Sequence, residues 1–307
     1  MSGARQMVSV GIDIGTTTTQ VIFSELTLLE ITRAGQIPRV DISERRVLSE
    51  SEIVFTPLLD AETIDAERLA GILRQEYARA GIRPEQVETG AVIITGETAR
   101  KKNADTVLAA IAGLAGDFVV TVAGPNVEGM IAGRGSGAAA YSRQHFTTVT
   151  NIDIGGGSAN SATFRQGSQV ASAAMNYGGR VIELQDGVIT AITRAGGWIC
   201  EAAGVSLRVG DRPTLADLRR VTDAMAVVTV HLIEGTTSPL AEKLYQTPPS
   251  PVSGQGRPVM FSGGIGFYFY DPIPLSSVAE VARHGDIGPL LAESLRRNPV
   301  IQGYTVL

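Results

Sequence analysis

Cysteine is nearly absent: Cys200 is the single one in 307 residues. That excludes an internal disulfide, a multi-cysteine zinc site and a cysteine-ligated iron–sulfur cluster built within one chain, and it makes a reducing, cytoplasmic setting the expectation. No apolar run approaches the ~20 residues needed to cross a bilayer, and the N-terminus lacks the long apolar stretch of a secretory leader. Clustered positive charge is scarce as well. The formal net charge is −5 and the pI is near 5.4, and the basic run Arg100-Lys101-Lys102 reads as a solvated helix start. Neither nucleic acid nor a membrane is therefore expected as a partner, because both demand concentrated Lys and Arg. There is no Gly-x-x-x-x-Gly-Lys-Ser/Thr, so a Walker-type phosphate loop is out. Gly133-Arg134-Gly135-Ser136-Gly137 lacks the spacing of a dinucleotide loop and follows no strand. It reads as close helix packing.

What is present is an apolar, glycine-rich chain. Apolar residues make up 44% and charged residues 19%, a balance that supports a sizeable core, and the length favours two domains. Glycine accounts for 35 of the 307 residues, well above the ~7% of average proteins, and much of it falls in short groups between apolar runs, where backbone can approach a ligand.

Periodicity gives the coarse architecture. Val8–Asp13 reads as a buried strand and Gln20–Phe23 as its return, a β-hairpin around a hydroxyl-rich turn. From Asp65 the period changes: Leu69, Ile72, Leu73, Tyr77 and Ala80 share a helical face, Asp65 can cap its start and Gly81 its end. A strand over 91–95, a helix from about Asn103 to Leu114 and a strand over 118–122 follow, the alternation of an α/β fold. A small-residue stretch over 127–141 leads into a second hairpin, 149–153 and 159–164. Thr214–Ile233 then reads as a long helix with Leu215, Leu218, Met225, Val228 and Leu232 on its inner stripe. His231 on it reads as a core or edge residue. After the prolines at 248, 249 and 251 comes a strand, 258–261. The final run, 300–307, looks strand-like and stops on an apolar residue, as a truncated chain would.

The hairpins repeat each other in letters. Gly11-Ile12-Asp13-Ile14-Gly15-Thr16-Thr17-Thr18 stands against Asn151-Ile152-Asp153-Ile154-Gly155-Gly156-Gly157-Ser158. Each sets an aspartate at the end of a buried strand before a turn of glycine and hydroxyl residues. A triphosphate needs successive backbone N–H groups aimed at its oxygens, with hydroxyls as further donors. Gly15, Thr16, Thr17 and Thr18 satisfy this in one half, and Gly155, Gly156, Gly157 and Ser158 in the other. A hard Mg²⁺ keeps most of its waters and prefers carboxylates that those waters can bridge, the role expected for Asp13 and Asp153. A third element, Met260-Phe261-Ser262-Gly263-Gly264-Ile265-Gly266, sits at a strand's end, where open α/β sheets place ligands. Gly263 and Gly264 there leave room for a flat base. ATP with Mg²⁺ is the expected cofactor.

These three elements in this order resemble the phosphate 1, phosphate 2 and adenosine motifs of the actin, hexokinase and heat-shock ATPase superfamily. The resemblance implies an actin-like ATPase fold of two duplicated ribonuclease-H-like lobes around a nucleotide cleft, divided here as 1–145 and 146–307. It also implies a small-residue helix before the second phosphate turn, matched from Asn126 to Tyr141, with Glu128 where heat-shock members carry a glutamate that positions the attacking water.

Within the superfamily the chain is most similar to the large reactivating factors of ethanolamine ammonia-lyase. The stretches that carry this likeness are 11–20, 94–104 (Ile-Thr-Gly-Glu-Thr-Ala-Arg-Lys-Lys-Asn-Ala), 123–129 (Ala-Gly-Pro-Asn-Val-Glu-Gly), 176–183 (Asn-Tyr-Gly-Gly-Arg-Val-Ile-Glu) and 284–289 (His-Gly-Asp-Ile-Gly-Pro). It implies a weak, Mg-dependent, chaperone-like ATPase that binds the inactivated lyase and lets damaged cobalamin leave, in the cytoplasm or in an ethanolamine-utilising microcompartment. Homo-oligomerisation is left open. Family members continue past the point where this chain stops. The alternatives are a small-molecule kinase of the same fold, with Glu97 or Asp105 as base, and an actin-like scaffold without catalysis. Iron–sulfur activators would need more cysteines, and hydantoin-cleaving relatives close the first turn with an acid where Gln20 stands.

Overall fold

The computed structural model describes residues 4–15, 18–31, 39–52, 54–60, 63–94, 103–111, 117–122, 124–252 and 256–307. They form two compact units, 1–123 and 124–307, each taken by itself below.

In the first unit, β1 (Arg5–Ile14) and β2 (Thr18–Ile31) form the expected hairpin, and β3 (Arg39–Glu50) and β4 (Val54–Phe55) pair with β2. A small hairpin, β5 (Leu58–Asp60) and β6 (Thr63–Ile64), precedes α1 (Ala66–Ala80). Then come β7 (Val87–Ile94), α2 (Ala104–Ile111) and β8 (Asp117–Val122). The sheet order is β3-β2-β1-β7-β8, antiparallel through the hairpin and parallel across β1, β7 and β8. Along β1 burial alternates: Val10, Ile12 and Ile14 are in the core while Gly11 and Asp13 are exposed. That is the two-residue period of a strand with one covered face. The cover comes from α1, whose Leu69, Leu73 and Tyr77 join Val21 and Phe23 in one cluster. Asp65 caps α1 by accepting from the Arg68 N–H (3.0 Å), and Gly81 closes it in the left-handed region at φ 66°. The long strand β3 is the outer strand of this sheet among the described residues. Val40 and Ile42 are about three-fifths exposed along it, set among charged residues.

The second unit opens with α3 (Pro125–Gly135) and α4 (Ala138–Gln144), followed by β9 (Thr148–Ile154), β10 (Ala159–Arg165) and β11 (Ser168–Met175). The small-residue stretch is thus two helices, because the chain turns left-handed at Gly137 (φ 91°). Both pack on the second sheet. A boundary at 145/146 assigns them to the first half, whereas the compact units divide at 123/124. Gly133 shows why the stretch is small: a Cβ there would lie 2.3 Å from the Phe164 ring. The hairpin β12 (Ile182–Gln185) and β13 (Val188–Ile192) leads to α5 (Arg194–Ala202), α6 (Leu215–Glu234) and α7 (Pro239–Leu244). β14 (Val259–Ser262) then enters the sheet and α8 (Gly263–Tyr270) leaves it, before α9 (Val278–Val281), α10 (Gly288–Arg297) and α11 (Pro299–Gln302).

The sheet order here is β11-β10-β9-β14, with β14 parallel to β9. It repeats β3-β2-β1-β7: an aspartate-bearing strand between its hairpin partner and a later parallel strand. Val149 through Ile152 are all buried, so β9 is covered on both faces and reads as a continuous run. The end of the chain departs from expectation. Asn298 caps a short helix, with Pro299 at its first position, where a missing N–H costs nothing, and only Val306 makes a strand-like bridge, to Val259.

Candidate functional site

The two turns are closed the same way. In the first, Asp13 lies opposite Gln20 and Ile14 opposite Thr19, and the Gly15 N–H donates to the Thr18 carbonyl (2.8 Å). In the second, Asp153 lies opposite Asn160 and Ile154 opposite Ala159, and the Gly155 N–H donates to the Ser158 carbonyl (3.1 Å). Each aspartate is therefore the last residue but one before a four-residue loop. Their side-chain surroundings differ. Asp13 is exposed, and opposite it Gln20 donates to Glu50 at the surface (2.8 Å). Behind this turn the buried Thr19 hydroxyl shares a hydrogen bond with Thr56 (3.0 Å), which donates to the Gly15 carbonyl (2.9 Å). Thr16 and Thr17 lie outside the described residues.

The second turn is held from behind by backbone. The Gly179 N–H donates to the Gly155 carbonyl (3.0 Å) and the Arg180 N–H to the Gly156 carbonyl (2.8 Å). A Cβ on Gly178 would lie 2.4 Å from the Gly155 oxygen and 2.5 Å from that of Gly156, so only glycine lets the segments approach this closely. In a trans peptide the C=O and the following N–H point in opposite directions. With the carbonyls of 155 and 156 tied to 179 and 180, the N–H groups of Gly156 and Gly157 are aimed away from that brace. Two amides turned outward from a glycine loop are what an anion requires. Gly263, at φ 76°, sits against the end of β9, where a Cβ would meet the Ile154 oxygen at 2.5 Å; the same test at Gly264 finds open space.

Asp153 is tied into a chain of side chains. Asn151 Nδ2 donates to Ser262 Oγ (2.9 Å), and Ser262 Oγ donates to Asp153 Oδ1 (2.6 Å). Burial pushes the Asp153 carboxyl up from its ordinary range, and the Ser262 hydroxyl opposes that. Glu128 on α3 is buried and accepts from Asn160 Nδ2 (3.1 Å), the residue opposite Asp153. The second unit thus brings together Asp153, Glu128, the 155–158 loop and Gly263 with Gly264. Sequence reasoning passed over Ser262 and Asn160 as participants. The letters did contain a signal, since Ser262 precedes the paired glycines and Asn160 stands where Gln20 does in the first hairpin.

Among the described residues, no three of His, Cys, Asp and Glu cluster as a directly coordinating metal site. The donor set beside Asp153, one carboxylate with outward glycine amides, is of the kind that a water-held Mg²⁺ with a phosphate would use. Glu97 lies outside the described residues, as do Arg100, Lys101 and Lys102, and Asp105 is placed only by its position on α2. Cys200 is buried and burial pushes its thiol up, which disfavours the thiolate. Trp198 lies under the Arg194 guanidinium, 4.9 Å from it. No helix among the described residues is long and apolar enough to cross a membrane.

Comparison with known proteins adds the lineage. Residues 5–307 match the family described as "Ethanolamine utilisation protein EutA". The chain is 41% identical over 307 residues to the "Ethanolamine ammonia-lyase reactivase EutA" of Escherichia coli (strain K12), covering 98% of this chain and 64% of that protein. It is 39% identical over 303 residues to the protein of the same name from Salmonella typhimurium (strain LT2), with the same coverage. The chain thus spans just under two thirds of the length of these curated relatives. Among solved structures, the type II variant of the Aquifex aeolicus Ppx/GppA phosphatase superposes with a TM-score of 0.54 at 15% identity, over 98% of this chain and 95% of that one. Another Aquifex aeolicus PPX-GPPA enzyme structure gives 0.52 at 15% identity, over 98% and 96%. At such identity the likeness concerns the fold alone, and that fold is the mixed α/β, actin-like ATPase class expected from the motifs.

Proposed function

Because this chain belongs to the ethanolamine utilisation protein EutA family, we propose that it serves in an ATP-dependent, chaperone-like reactivating factor for adenosylcobalamin-dependent ethanolamine ammonia-lyase. The factor binds the inactivated lyase and lets damaged cobalamin leave. The observation that carries this reading is the 41% identity with a named reactivase along 98% of the chain. ATP with Mg²⁺ is the proposed ligand. Its phosphate oxygens are taken by the amides and hydroxyls of 15–18 and 155–158, its base lies by Gly263 and Gly264, and its metal is held through water by Asp13 and Asp153. In this proposal Glu128 positions the attacking water. The repeated turn register supports the assignment, as do the outward amides of Gly156 and Gly157. Slow hydrolysis in such a site changes the affinity of the factor for its partner, which is all that a binding-and-release cycle requires.

The test mixes the protein with cyanocobalamin-blocked ethanolamine ammonia-lyase, ATP, Mg²⁺ and fresh adenosylcobalamin. Lyase activity is expected to return with ATP and not without it. If Mg-ATP binds and no activity returns, the reactivase reading of these 307 residues fails. Calorimetry tests the site separately: Asp13→Ala and Asp153→Ala are each expected to weaken Mg-ATP binding by about 10-fold or more, the usual effect of losing a group that holds a metal through its shell. Unchanged affinity in both variants would remove the two aspartates from the site.

A further inference from the structure

Two of the stretches that carry the family likeness, 176–183 and 284–289, have no part in the site as assigned, yet they meet directly behind the second turn. They form layers. The 155–158 loop rests on Gly178–Arg180 through the two backbone hydrogen bonds already described. Gly178–Arg180 rests in turn on 285–288: the Ile287 N–H donates to the Gly179 carbonyl (3.0 Å) and a Cβ on Gly179 would lie 3.1 Å from Gly288 Cα, while further along the chain the Leu184 N–H donates to the Gly285 carbonyl (2.9 Å). A side-chain ion pair joins the same two layers. Arg180 Nε lies 3.8 Å from Asp286 Oδ2, both side chains 17% exposed, and the guanidinium also reaches Glu183 (3.6 Å). Asp286 uses its other oxygen to accept from the Gly288 N–H (2.8 Å), which fixes the start of α10.

We infer that Arg180 and Asp286 are positioning residues for the nucleotide, an ion pair that locks the 178–180 segment and thereby holds the Gly156 and Gly157 amides at one angle. The inference rests on the nucleotide reading above. A loop of three consecutive glycines has more conformations open to it than any other loop of its length, and an amide cradle binds well only if it is set before the ligand arrives. The backbone bonds from 179 and 180 set it, provided that those residues themselves cannot shift. Two opposite charges shielded from water interact far more strongly than a surface pair, so this pair is suited to stop that shift. Burial pushes the Asp286 carboxyl up, and the Gly288 amide and the Arg180 charge pull it back.

The variants are Asp286→Asn, which keeps the acceptor for Gly288 and removes the charge, Arg180→Gln, the double variant and Arg180→Lys. Mg-ATP affinity is measured by calorimetry, and amide hydrogen exchange at Gly179, Arg180 and Ile287 is measured without nucleotide. Each single variant is expected to bind Mg-ATP about 10-fold more weakly, with the double variant no worse than either, because residues of one network do not add. Arg180→Lys is expected to recover most of the affinity, and the three amides are expected to exchange faster in both neutral variants. Strict additivity, or exchange that stays at the wild-type rate, would overturn the inference. Faster exchange in a chain that binds no nucleotide even as wild type would overturn the nucleotide reading and leave the brace standing.

Discussion

Asp13 and Asp153 occupy the same place in two copies of one topology, yet one is exposed at the end of a half-covered strand and the other lies in a strand buried on both faces. The difference extends to their neighbours across the hairpin: Gln20 reaches a surface glutamate, whereas Asn160 reaches the buried Glu128. It also extends to the parallel strand alongside, where Asp13 lies next to Ile93 and Asp153 next to Ser262, the hydroxyl that donates to it. Duplication has preserved register and turn closure, which are backbone properties, and has let the side-chain environments diverge. One aspartate meets solvent, and the other is held by the Ser262 hydroxyl.

The comparison can be broken most forcefully at Gly178. Gly178→Ala drives a methyl group into two carbonyl oxygens behind the second turn and is expected to destabilise the second unit by about 3 kcal/mol, the upper part of the usual cost of overpacking. Denaturant unfolding reads this, and a loss below 1 kcal/mol would mean that the segments separate easily. Next in size are the residues opposite the aspartates. Asn160→Ala removes a hydrogen bond to a buried carboxylate and is expected to cost about 2 kcal/mol, whereas Gln20→Ala acts at the surface and should stay within about 0.5 kcal/mol. Equal losses would contradict the divergence described here.

The tyrosines sharpen the contrast at smaller scale. The buried Tyr177 hydroxyl shares a hydrogen bond with Thr229 (2.7 Å), while the buried Tyr77 hydroxyl, edge-on to Phe23, has no hydrogen-bond partner among the described residues. Burial pushes both phenols up, that of Tyr77 to about 12. Tyr177→Phe is expected to cost about 1 kcal/mol and Tyr77→Phe to be neutral or stabilising, because removing an unpaired buried polar group relieves its desolvation. The last contrast is one of sign. Since the folded Asp153 carboxyl titrates above its unfolded value, the folded state holds that proton more tightly. Its contribution is therefore fully favourable only below the unfolded carboxylate range and is lost as pH rises through the folded value. Asp153→Asn is expected to raise the melting temperature at neutral pH. A lowered melting temperature in Asp153→Asn at neutral pH would show that the charged form is stabilised in the fold.

Much of this was legible in the letters, for identifiable reasons. Hairpins, α1 and α6 were readable because the periodicity was plain in each, supported at α1 by Asp65 and Gly81 as its caps. The two aspartates and their loops were readable because one short pattern occurs twice. What escaped was set by tertiary contact. The Ser262 hydroxyl matters only because β14 lies beside β9, and the Gly178 requirement exists only because a second backbone passes over it. Glu128 was placed by likeness alone; its bond to Asn160 appears only once α3 lies on the hairpin. The strand expected over 300–307 failed because a cap at Asn298 and a proline at helix position one outweigh β-prone residues in so short a run.

The outer strand β3 carries a cost of a different kind. Among the described residues β3 is the edge strand of its sheet, and its Val40 and Ile42 side chains face solvent there. Such an edge invites self-templated growth, and the interleaved Arg39, Asp41, Glu44, Arg45 and Arg46 oppose it by keeping identical copies from stacking in register.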